Sequence, residues 1–228
     1  MEKEKNTIQK TARIAGLLYI IYIIIHVFAD IIGRSSIIVY GDATTTAQNI
    51  ITSGWQFQIG VMTDLIAAAL FLLVAWALYK LLKPVDKNIA LLFLLLNLCG
   101  VVIQCFSDLF LIATQLILSD PDYLNGFELN QIHALAMFFL HLYKNSFMVA
   151  QLFYGAWLFP LGYLVFKSVF LPKTLGVLLM VHCVFWLMTF FQFFLFPDFT
   201  AIIFVSYPLG FIAEFGLGFW LIFKGLRK

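Results

Sequence analysis

Charge is what this chain has least of. Asp, Glu, Lys and Arg make up 11% of its 228 residues, less than half of the about 25% found in an average soluble domain. So few charges cannot clothe a water-soluble surface, which excludes an all-aqueous globular domain. A net charge of +2 provides no basic footprint for nucleic acid, and none is expected as a partner. Cysteine is also sparse: Cys99, Cys105 and Cys183 fall within apolar runs, which excludes a disulfide scaffold. The sequence has no G-x-S-x-G, P-loop, Rossmann glycine pattern, Cys-x-x-Cys or HExxH. His26, His133, His141 and His182 never pair at a spacing of three or four, so no metal site is expected. Catalytic residues and cofactors are therefore left unassigned, and a non-enzymatic protein is the expectation.

Apolar residues are abundant, at 63% of the chain with 18% aromatic. A helix needs about 20 mainly apolar residues to cross about 30 Å of hydrocarbon. Segments 13–33, 57–80, 88–118, 144–166, 174–196 and 201–224 meet that requirement. They predict an all-α fold: a polytopic membrane protein, one integral-membrane domain over residues 1–228, with six transmembrane helices and the lipid bilayer as its first partner. The first run is too long for a signal-peptide core and has no small-residue exit, so it is read as an uncleaved span.

The joints alternate in charge. Lys3, Lys5, Lys10 and Arg13 precede the first span, Lys80, Lys83 and Lys87 flank the second joint, Lys167 and Lys173 the fourth, and Lys224, Arg227 and Lys228 close the chain. All of the fourteen basic residues except Arg34 and Lys144 are thereby on one side. Asp42, Asp120, Asp122, Glu128 and Asp198 occupy the opposite joints. The positive-inside rule then places both termini in the cytoplasm. In the first outer joint, "GDATTTAQNIITSGW" reads as a short amphipathic helix capped by Asp42, with Ala43, Ala47, Ile50 and Ile51 on one side. Residues 128–166 read as one helix about 58 Å long, which either projects outward or bends near Lys144; a kink is expected at Pro160.

Ionisable groups within spans are costly and mark candidate functional sites. Counted at about 1.5 Å per residue from the nearest basic edge, Asp30 lies about 26 Å up, Asp64 about 24 Å, Asp108 and Arg34 about 32 Å, and Lys144 about 35 Å. These five charges form an outer band in which Lys144 is level with three aspartates. Helical phase groups Gly16, Tyr19, His26 and Asp30 on span one. It groups Asn97, Gln104, Asp108 and Gln115 on span three, and His133, Lys144, Gln151, Gly155 and Gly162 on span four. On span six, Ser206, Gly210, Glu214 and Gly218 follow at i+4, with Glu214 about 15 Å above Lys224. Asp30, Arg34, Asp64, Gln104, Asp108, Lys144 and Glu214 are the candidate ligand-binding residues. The Gly210, Glu214 and Gly218 face is a candidate for homo-oligomer contact.

Three readings stay open on these residues. The first is an outward-facing polar pocket that binds or passes a small polar or cationic ligand. The second is a structural or interaction subunit whose polar groups only hold helices together. The third is an intramembrane enzyme using His26, Asp30 or His141 on a lipid-like substrate.

The strings "ARIAGLLYI", "RSSIIVYGDA", "LLKPVDKNIALL", "YGAWLFPLGYLVFKS", "LPKTLGVLLM" and "AEFGLGFWLIFKG" together resemble a bacterial family of multi-pass membrane proteins catalogued as domain of unknown function 4386. Trp157, Pro160 and Gly162 carry the most specific part of that resemblance. It implies a six-span helical fold in a bacterial plasma membrane, and it implies no reaction, ligand or catalytic residue.

Overall fold

Hydrocarbon offers no hydrogen-bond partners, so a chain this apolar must satisfy its backbone within each segment, and helices do so. The computed structural model describes residues 2–119 and 122–225, excepting the side chains of 2–7 and 123. Lys3, Lys5, Asp120, Arg227 and Lys228, which carry part of the charge asymmetry, lie outside what is described. No strand occurs among the described residues. The helices are α1 (Glu2–Asp30), α2 (Ala43–Thr52), α3 (Gly54–Leu82), α4 (Lys87–Leu118), α5 (Leu129–Lys167), α6 (Lys173–Leu195), α7 (Ile203–Gly210) and α8 (Gly216–Phe223). A π-helical turn, Ile31–Ser35, extends α1, and a second, Phe211–Phe215, joins α7 to α8. Six stretches are long and apolar enough to cross a membrane: Ile8–Ser35, Gly54–Leu82, Lys87–Leu118, Leu129–Lys167, Lys173–Leu195 and Thr200–Phe223. The protein is all-α and multi-pass.

Local chemistry sets the helix ends. Asp86 accepts the N–H groups of Asn88 and Ile89 at 2.9 and 3.1 Å, capping the first turn of α4 after the Lys83-Pro84 turn. Before α6, the Ser168 hydroxyl donates to the Val165 carbonyl and accepts from the Leu171 N–H, closing a tight turn ahead of Pro172. The Gln131 side chain accepts the Glu128 N–H at 2.9 Å at the start of α5, half of a capping box. From there α5 runs 39 residues, unbroken at Lys144 and with Pro160 inside it.

The chain divides into two compact units. One comprises Met1–Tyr22, Ala69–Val101 and Met148–Lys228. Its core is aromatic: Phe71 meets Trp157 edge-on at 4.9 Å and stacks on Tyr22 at 4.1 Å, while Tyr19 and Phe93 are fully buried. Glycines bring its helices together. A Cβ on Gly16 would lie 2.6 Å from the Gly218 carbonyl oxygen, and one on Gly162 would lie 2.7 Å from that of Gly176. Gly210 and Gly218 are both buried within this unit, against His182 and Ile20 respectively.

The other unit comprises Ile23–Ala68 and Val102–Phe147. Ile37, Ile38, Ile50, Phe57, Val61, Leu111, Met137, Leu140 and Tyr143 form its apolar core. The short helix α2 closes over Ile37 and Ile38. Asp42 caps it by accepting from the Thr45 N–H at 2.9 Å, and the carboxyl, bonded by the backbone N–H and hydroxyl of Thr45, is held below the usual Asp range. Thr46 ties α2 to the preceding strand-like stretch, donating to the Val39 carbonyl and accepting from its N–H, both at 2.9 Å. Asn49 donates to the Ile37 carbonyl at 3.0 Å. The buried side of α2 is Thr46, Ala47 and Ile50; Ile51 was expected there but is exposed. Backbone capture by Thr46 and Asn49 rotates the helix toward its polar residues.

Candidate functional site

In the second unit Asp30, Arg34 and Asp108 gather around Asp64. This aspartate sits mid-helix in α3 with no exposed surface. Its Oδ2 accepts from Arg34 Nη1 at 2.5 Å, and its Oδ1 lies 3.2 Å from His26 Nδ1 and 3.3 Å from Gln104 Nε2. Three donors from two helices, α1 with its π-helical extension and α4, therefore surround one carboxylate. Arg34 is 5% exposed despite its charge. Its Nε and Nη2 both reach Oδ1 of Asp30 at 3.2 Å, one helical turn earlier, so the guanidinium bridges an exposed carboxylate and a buried one. Its planar face lies 5.7 Å from the centre of the Tyr143 ring, and Tyr143 stacks on Phe147, which in turn stacks on His26.

The backbone explains how Arg34 gets there. It belongs to the π-helical turn, where the wider winding re-aims side chains relative to an α-helix. One residue earlier, Gly33 faces Gly60 so closely that a Cβ on either would fall on the Cα of the other. Only two glycines permit that approach of α1's extension to α3, and it brings Arg34 within reach of Asp64, four residues beyond Gly60.

Asp108 on α4 is different in kind. It has no exposed surface, and neither carboxylate oxygen has a hydrogen-bond donor among the described residues. It lies close enough to Asp64 for the two carboxyls to share a proton, and within electrostatic range of Arg34. A fully enclosed carboxylate without donors is expensive, and such a group is either protonated or offers its oxygens to something bound.

Of the seven candidate binding residues, Asp30, Arg34, Asp64, Gln104 and Asp108 gather here. Lys144 does not take the position expected of it. Tyr143 points into the core, and the next residue on a helix turns about 100° away, so Lys144 is exposed, with its ammonium 4.8 Å over the ring of Tyr40. The cation on the aspartates is Arg34. The buried side of α5 in this unit is His133, Ala136, Met137, Leu140 and Tyr143. His26 was not among the candidate binding residues, and its Nδ1 contacts Asp64. Its membership of the Gly16, Tyr19, His26 and Asp30 face was the available signal.

Glu214 belongs to the first unit. Its Oε2 accepts from the Tyr19 hydroxyl at 2.6 Å, and its Oε1 lies 3.4 Å from His182 Nδ1. The i+4 stripe expected through Ser206, Gly210, Glu214 and Gly218 keeps Ser206, Gly210 and Gly218 buried, while across the π-helical turn Ala213 and Leu217 are buried as well and the Glu214 side chain keeps 22% exposure.

No solved structure matches the chain. A protein of Archaeoglobus fulgidus described as "Uncharacterized protein" is 33% identical over 108 residues, covering 47% of this chain and 51% of the relative. The chain thus spans about half the length of that curated relative. The model of a family described as "Domain of unknown function (DUF4386)" matches residues 14–225. That match takes in both charged groups and every span save residues 8–13 of the first, and the chain belongs to this family.

Proposed function

We propose that the protein is a non-enzymatic membrane protein that binds a small cation at Asp108, beside the Arg34–Asp64 pair. In this reading it lies in the plasma membrane with both termini cytoplasmic and the site toward the outer face, as the distribution of lysines favours. One observation carries the proposal: Asp108 is wholly enclosed and neither of its oxygens has a donor among the described residues. Arg34 is already committed to Asp64 and Asp30. Three carboxylates against one guanidinium leave room for added positive charge, and His26 contributes only when protonated.

The test uses the full chain in lipid nanodiscs, with sodium, potassium, methylammonium and guanidinium as probes at constant ionic strength. At least one probe should raise the unfolding temperature of the wild type in a saturable manner; a concentration of 100 Kd corresponds to about 2.7 kcal/mol. D108N should abolish that response. Absence of a response to all four in the wild type, or an unchanged response in D108N, refutes the proposal. The saturated surroundings of Asp64 favour a second reading, in which the cluster only fixes helix packing. That reading predicts a more stable D108N and no probe dependence in either protein.

A further inference from the structure

The first unit contains a separate group of titratable side chains, drawn from α1, α6 and the π-helical turn before α8. His182 is 1% exposed, and neither ring nitrogen makes a hydrogen bond. Its ring is pinned. A Cβ on Gly210 would come within 2.5 Å of Nε2, so the imidazole lies flat against backbone that only glycine leaves open. Trp186 meets it edge-on at 5.2 Å. Held in this way, the ring presents Nδ1 to Oε1 of Glu214 at 3.4 Å, while the Tyr19 hydroxyl occupies Oε2 at 2.6 Å.

The gap of 3.4 Å is informative. It is within ion-pair range yet longer than the about 2.7–2.9 Å of a charge-assisted hydrogen bond. A neutral imidazole protonated at Nε2 turns a lone pair toward a carboxylate oxygen, so two acceptors face each other in a medium without water. One proton on Nδ1 converts that opposition into a charge-assisted bond, the ring becoming imidazolium against the Glu214 carboxylate. The other titratable groups near this pair are hydroxyls and a thiol. Tyr22 interacts with Tyr19, Tyr207 of α7 lies 5.9 Å from Trp186, and Cys183 lies beside the backbone of Phe159.

We infer that Glu214 and His182 form a proton-binding site in the membrane-spanning part of the chain, with Tyr19 and Gly210 as positioning residues. The ligand is a single proton taken from water, held between Oε1 and Nδ1; Tyr19 donates to Oε2 in both states, and no other bond is made or broken. Uptake closes the gap between α6 and the π-helical turn, whose loose winding can yield where an α-helix would resist.

The experiment is imidazole 15N NMR of the full chain in nanodiscs, with labelled histidine, from pH 4 to 9. The His182 signals, identified by their loss in H182Q, should pass from a neutral tautomer to imidazolium. E214Q should displace the midpoint by about one pH unit or more, a tenfold change in proton affinity. Y19F should displace it less, and E214D, which retains an acid, should keep a displaced but complete titration if E214Q does not fold. A His182 that never titrates in this range, or one whose midpoint is the same in E214Q and E214D as in the wild type, overturns the inference.

Discussion

Replacing Arg34 by methionine removes one charge and nearly preserves volume, which isolates the electrostatic role of the residue. The pair it breaks is buried on both sides, with side-chain exposures of 6% for Arg34 and 0% for Asp64. With charge centres about 4 Å apart and an effective dielectric of about 20, their attraction is about 4 kcal/mol. Breaking such a pair while leaving its partner enclosed costs about 3–5 kcal/mol, so R34M should lose that much. D64N strands the guanidinium and should cost a similar amount. R34M/D64N strands neither charge and should recover at least about 2 kcal/mol relative to the sum of the single variants. K144M is the control: its ammonium is exposed over Tyr40, and its loss should cost no more than about 1 kcal/mol. Reversible unfolding in mixed micelles, followed by tryptophan fluorescence, supplies the four free energies. An R34M loss below about 1 kcal/mol, or strict additivity of R34M and D64N, refutes the assignment of Arg34 as the internal counter-ion. A larger loss in K144M than in R34M would return that role to the lysine.

Gly33→Ala should destabilise by about 1–3 kcal/mol, because the new methyl meets the backbone at Gly60 and not a movable side chain; Gly60→Ala should match it in the same unfolding assay. Gly162→Ala tests the corresponding approach of α5 to α6, where the methyl would stand 2.7 Å from the Gly176 carbonyl oxygen, and a loss of similar size is expected. Asp42→Ala should fray α2, seen as faster amide exchange at Thr45 and Thr46 with the spans unaffected. Because the Asp42 carboxyl is held below its ordinary 3.8, its capping contribution is fully present above that pH and is lost only as pH falls through the lowered folded value. The Thr45 amide shift should follow that loss, and a transition above the ordinary Asp range would contradict it.

Much of the architecture is legible in the residues. Six apolar runs became six helical stretches of membrane-crossing length, and Asp42 caps the short helix anticipated after it. The band drawn by counting residues from basic edges brought Asp30, Arg34, Asp64, Gln104 and Asp108 to one neighbourhood. Counting gives height along a rod but not azimuth. Lys144 was placed level with the aspartates and is level with them in sequence terms, yet Tyr143 claims the inward direction beside it. On the last span the stripe keeps Ser206, Gly210 and Gly218 buried and leaves Glu214 half-buried. A period of four assumes α-helical winding, and five residues of π-helix break that assumption without any compositional mark.

By itself the sequence determined that this chain is helical and multi-pass, and which six stretches are long and apolar enough to cross a membrane. Those properties follow from one-dimensional facts: the length of apolar runs, the cost of unsatisfied backbone in hydrocarbon, and capping residues at the joints. Tertiary structure alone decided which charge answers which. Arg34 reaches Asp64 because Gly33 and Gly60 let two backbones touch, and His182 faces Glu214 because Gly210 leaves room for a ring. Asp108 is left without a protein donor for the same reason: pairing depends on distances between separate helices, and no spacing along one chain encodes them.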